Sequence, residues 1–167
     1  IAAIVERGMV CLDNQKFWGA PNATRAVIWT LLPGANEGKP DPYETLKQSV
    51  QIGEQKGVRL SHALYAVAAQ ASGDDAKIRD ALKTYAASQA DDKPVNPNFK
   101  LIDSMAGLIV RGISDRYWTE HTGVRTGDDG MSHFWDEKNE GSAELDELFD
   151  GGAASEAPAD TKTAPAQ

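Results

Sequence analysis

The stretch from Asp41 to Gly57 carries a full set of helix start and stop signals, and that punctuation, repeated along the chain, decides the fold class. Asp41 is suited to cap a helix through its carboxylate. Pro42 fits the first helical position, where a missing amide hydrogen costs nothing, and Glu44 stands three residues after the cap. Tyr43, Leu46 and Val50 then share one face, and Gly57 fits the left-handed residue that ends a helix. The same grammar recurs downstream. Leu60, Leu64, Val67, Ala68 and Ala71 mark a helix stopped by Ser72-Gly73. Asp74 or Asp75 opens an Ala-rich helix with Ile78, Leu82, Tyr85 and Ala86 on its inner face. Leu101, Met105, Leu108, Ile109 and Ile113 predict the longest helix, over residues 101–118, with this stripe toward the core and Asp103, Arg111 and Asp115 on the other side.

The first third is less regular. Ile1, Ile4, Val5, Met9 and Leu12 have helical spacing, although Gly8 interrupts it and a strand over residues 9–12 stays open. Asn22 reads as the cap of a helix over residues 23–32, closed by Pro33-Gly34. Asn22-Ala23-Thr24 also spells a glycosylation sequon, but no charged segment followed by an apolar run marks a secretory signal, which favours the cap. Residues 34–41 and 91–100 are rich in Gly, Pro and Asn and read as loops. The expected fold is all-α, a compact bundle of five or six helices over residues 1–122.

Charge divides the chain. Its formal charge of −8 is not spread evenly: residues 1–130 hold 16 acidic and 15 basic groups, whereas residues 131–167 hold 9 acidic and 2 basic. The body is near neutral, so its cations are free to gather on one face. Residues 123–167 read as a disordered acidic tail, because too few apolar groups are present to offset the entropy of ordering. Within it, residues 142–149 fit a short amphipathic helix. There Leu145, Leu148 and Phe149 sit in an acidic frame as partner-binding candidates.

The sequence carries no signature of catalysis or metal binding. The single cysteine, Cys11, lies in an apolar run and reads as a small buried hydrophobe. His121, Asp128, Asp129 and His133 fall in a Gly-rich stretch without zinc or calcium spacing. No Gly-x-Ser-x-Gly elbow or phosphate-binding loop is present. The reading is therefore no catalytic residue, no metal and no cofactor, with a small helical enzyme of scattered site residues kept as an alternative. No run approaches the ~20 apolar residues of a membrane span, and a cytoplasmic chain is expected.

Residues 51–70 have the outline of a helix-turn-helix, but the helix after the turn, Ser61-His62-Ala63-Leu64-Tyr65-Ala66-Val67, is poor in groups that contact bases or phosphates. A DNA-reading regulator inhibited by its acidic tail is the alternative this leaves. Lys16-Phe17-Trp18 with Arg25, and Arg116-Tyr117-Trp118 with Arg125, interleave cations and aromatics as single-strand binders do. The competing reading makes Trp18, Trp29 and Trp118 core anchors whose neighbouring cations reach water.

Over residues 17–118 the order of features resembles the small helical subunits of multisubunit CRISPR effector complexes. The features are Trp18 before a helix, a helix over 61–71, another over 78–85, and a long final helix. The resemblance implies repeated copies packed along a nucleoprotein filament, with Lys56, Arg59, Arg111 and Arg116 as contacts to the RNA or DNA backbone. The expected function is that of a non-catalytic subunit or adaptor whose partners are other protein subunits and the backbone of a nucleic acid.

Overall fold

The structure is a computed structural model and describes residues 1–89 and 93–137. The folded unit runs Ile1–Phe134, and only residues 135–137 of the second unit, Trp135–Gln167, are described. Six α-helices and no strand occur among the described residues: α1 Ala2–Val10, α2 Ala20–Leu31, α3 Pro42–Lys56, α4 Leu60–Ser72, α5 Asp75–Ala87 and α6 Lys100–Thr122. A single 3-10 turn, Pro97–Phe99, leads into α6. The all-α bundle expected from the punctuation is what forms.

The start and stop signals act as their chemistry predicts. The Asp41 carboxylate accepts the Glu44 amide at 2.8 Å, and Pro42 occupies the first turn of α3. Asp74 accepts the Lys77 amide at 3.2 Å at the head of α5. Gly57 ends α3 in the left-handed region with φ 68°. Gly53 is required for a different reason. A Cβ there would lie 2.6 Å from the Val58 carbonyl oxygen, so its absence lets α3 fold back tightly onto the turn into α4.

The start of α2 differs from expectation. Its cap is Gly19, at φ 80°, and the helix begins three residues before Ala23. Asn22 lies inside the first turn, where its amide is bonded by the Asn14 side chain at 3.0 Å. A loop carboxamide thus takes the donor that a helix cap would otherwise serve. Cys11, expected to be buried, is exposed.

Helix α4 is the hub, packing against α2, α3, α5 and α6. Its small residues make this possible: Ser61, Ala63, Ala66, Ala68 and Ala69 are buried and let four neighbours approach closely. The face expected from Leu60, Leu64 and Val67 is only half-buried, and Ala71 is exposed. Burial around most of the circumference replaces a single stripe, and it leaves residues 61–67 no open face to offer a DNA groove.

The larger correction concerns α6. Its core side is Ala106, Val110, Ile113, Ser114 and Tyr117. Leu101 and Leu108 are each 74% exposed, Met105 54% and Ile109 41%. Ile113 alone of the expected stripe faces inward. The helix carries two apolar faces, and sequence periodicity picks the one with the larger side chains.

The folded unit also runs past the expected boundary at residue 122. Thr126 donates its hydroxyl to Ser114 Oγ at 2.8 Å in a buried contact, and the Trp118 indole donates to the Gly130 carbonyl at 2.7 Å. Phe134 is buried against Tyr117 and Trp118. The expected tail from residue 138 onward, with Leu145, Leu148 and Phe149, lies outside the described residues.

The rotation of α6 gives a direct test. In urea melts at low-micromolar concentration, Ile113→Ala is expected to cost about 2–5 kcal/mol, as a core truncation does. Leu108→Ala is expected to stay within about 0.5 kcal/mol, as an exposed position does. The reverse order would refute the assigned faces.

Candidate interaction surface

The surface is set by what holds α6 from behind. Arg59, at the entry to α4, is only 8% exposed, and its guanidinium reaches three segments. It pairs with Asp103 of α6 at 2.9 Å, donates to the Ser88 carbonyl at 2.6 and 3.0 Å, and donates to the Lys93 carbonyl at 3.2 Å. The second Asp103 oxygen accepts the Arg59 backbone amide at 3.0 Å, satisfying a donor at the head of α4. The resemblance makes Arg59 a candidate for backbone contact, but its donors are committed inside the protein, so it is a structural cation.

His62, one turn further along α4, is buried beside this network. Its Nε2 lies 3.2 Å from Glu54 Oε1, while Nδ1 is buried with no hydrogen-bond partner. Burial pushes the imidazole below its usual range, and Arg59 pushes the same way. Glu54 and Asp103 oppose this without overcoming it. The folded state therefore holds neutral His62, with Nε2–H donating to Glu54.

Two of the other three cations are also engaged. Arg111 pairs with Asp115 at 3.3 Å and donates to the Thr126 carbonyl at 2.7 Å. Arg116 pairs with Glu120 at 2.7 Å. Five residues apart, these two arginines lie about 140° apart around α6. Lys56 is exposed at the far end of α3. The fold does not bring the four together on one face. Of the three tryptophans that the competing reading makes core anchors, Trp29 is buried while Trp18 and Trp118 are half-buried; Trp18 meets Phe99 with ring centroids 4.4 Å apart and the rings tilted by 58°.

What sequence periodicity assigns to the core is the outer face of α6. Leu101, Met105, Leu108 and Gly112 follow a 4-3-4 spacing and fall within about 60° of one another around the axis. Val110 points the opposite way, into the core. A Cβ added at Gly112 would meet nothing within 4 Å, so the end of this face is open. Three turns of large apolar side chains thus form a continuous exposed strip along the outer side of α6.

A cleft of about 290 Å³ opens among α4, α5 and α6, with Ile78, Ile113 and Tyr117 among its lining residues. Its polar groups meet one another: His121 Nε2 lies 3.7 Å from Asp75 Oδ2, and Arg116 pairs with Glu120. It presents no nucleophile aligned with a base. Among the described residues no group of three His, Cys, Asp or Glu is placed to hold a metal ion, and no helix is long and apolar enough to cross a membrane.

Two outcomes are expected. Because the folded His62 value lies below the usual 6.5, the unfolded chain binds more protons just below that pH. Stability should be complete well above 6.5 and decline as pH falls through it, while His62→Gln should flatten the decline in urea melts. Separately, Asp103→Ala should cost about 3–5 kcal/mol by stranding the buried Arg59 charge. Glu120→Ala, in an exposed pair, should cost about 0–1 kcal/mol.

Comparison of the chain with protein-family models, curated proteins and solved structures found no match.

Proposed function

We propose that this chain is a non-catalytic helical subunit or adaptor that docks into a larger assembly through the outer face of α6. The observation that carries the reading is the exposure of Leu101, Met105, Leu108 and Ile109 on a helix whose other side is already used by the core. A helix that is apolar on two sides is suited to being sandwiched, here between its own bundle and a neighbour. Large apolar side chains in a contiguous row on an exposed helix face are often a protein-contact site.

The resemblance to small subunits of CRISPR effector complexes agrees with a chain that lives among copies and partners. The nucleic-acid half of that expectation has thinner support, since Arg59 is internal and Arg111 and Arg116 are each paired with a carboxylate. A protein-contact adaptor is the reading we favour. Introducing charge on α6 tests it. Leu101→Glu/Leu108→Glu should leave the helical melt unchanged because both side chains are exposed. Affinity-tagged wild-type chain purified from its native source should carry stoichiometric partner chains, and the double variant should lose them. Identical sets of partners for the two forms would overturn the proposal.

A further inference from the structure

We infer that the α6 face receives a second copy of this chain, as an antiparallel, two-fold helix pair. The inference deepens the subunit reading and rests on it.

The spacing of the face selects a single helix as its occupant. Leu101, Met105, Leu108 and Gly112 alternate steps of four and three, the 3.5-residue period of side chains that interdigitate with one other helix. The sizes along the row then select orientation. In an antiparallel pair centred between Met105 and Leu108, Leu101 of each copy lies over Gly112 of the other, and Met105 lies over Leu108. Each end thus sets a large side chain against the open space above Gly112. In a parallel pair Gly112 would face Gly112, leaving a gap that costs packing at that layer.

The rim residues add a smaller preference. A parallel pair brings Arg111 of one copy beside Arg116 of the other, two arginines that each already hold a carboxylate of their own helix. The antiparallel pair instead brings Ile102 beside Ile109 and Ser104 beside Arg111, with no like charges opposed. The arrangement is isologous, the commonest symmetry of soluble oligomers.

The area also suits the assignment. At roughly 100 Å² for each exposed Leu, Met or Ile side chain, the row together with Ile109 beside it offers about 400 Å² per copy, hence about 800 Å² for two. Ile102, Ser104 and Arg111 at the rim raise this toward the roughly 1,000 Å² at the lower end of specific interfaces. The expected dimer is therefore concentration-dependent and of modest affinity.

The test uses the purified full chain alone. Sedimentation across a dilution series from about 5 to about 500 µM should show a reversible monomer–dimer equilibrium, and Leu108→Glu should weaken it at least tenfold without changing the circular dichroism melt. Orientation is read by disulfide trapping in a Cys11→Ser background. Leu101→Cys/Gly112→Cys should form a covalent dimer under mild oxidation, whereas each single variant should not. Rapid cross-linking of both single variants would replace the antiparallel pair with a parallel one and overturn the inference. A wild-type chain that stays monomeric throughout would also overturn it. If native partners still co-purify through α6 in that case, the subunit reading stands while the second-copy assignment falls.

Discussion

One buried ion pair sets the geometry on which the rest depends. Arg59 and Asp103 join the entry of α4 to the first turns of α6, and the same guanidinium gathers the carbonyls of Ser88 and Lys93 after α5. Removing two charges from water costs about as much as their attraction returns, so such a pair contributes little net stability. Its effect here is directional. Asp103 can meet Arg59 only if that side of α6 faces α4, which turns Ala106, Val110 and Tyr117 inward and Leu101, Met105 and Leu108 outward. Rotating α6 by half a turn would bury the leucines and strand both charges.

This explains which features are legible in the sequence and which are not. Helix existence and termini are readable because they depend on local chemistry: the Asp41 carboxylate, the Pro42 ring and the Gly57 backbone act within one turn. The facing of α4 and α6 is not, because it depends on partners distant in the chain. Periodicity weighs size, so Leu101 and Leu108 outrank Ala106 and Val110, although in a crowded bundle small residues allow close packing. Asp103 is the available signal. A carboxylate on the face of smaller residues looks like a solvated charge until Arg59, 44 positions earlier, supplies its partner.

The same logic moves the candidate site. The resemblance singles out four cations, yet one is internal, two are paired on different sides of α6, and Lys56 is exposed at the end of α3. The surface that remains is apolar and has the periodicity of a core stripe. The chain after Gly123 reinforces α6 rather than leaving it: Thr126, Gly130 and Phe134 cover Ser114, Tyr117 and Trp118 and steady the distal half of the helix. Helix α6 is thus held by the ion pair near its start, by the core along its middle and by this segment toward its end. Its outward side is exposed.

The central claim is that α6 has one side committed to the core and one open to a neighbour. A methyl-resolved NMR dilution series of the isolated chain tests it most directly, because each side has its own reporters. The account predicts that the Leu101, Leu108 and Ile109 methyl resonances shift together with protein concentration while those of Val110 and Ile113 stay fixed. Shifts at Val110 and Ile113 with none at Leu101 and Leu108 would contradict it, and spectra in which no α6 methyl responds to concentration would remove the second-copy assignment.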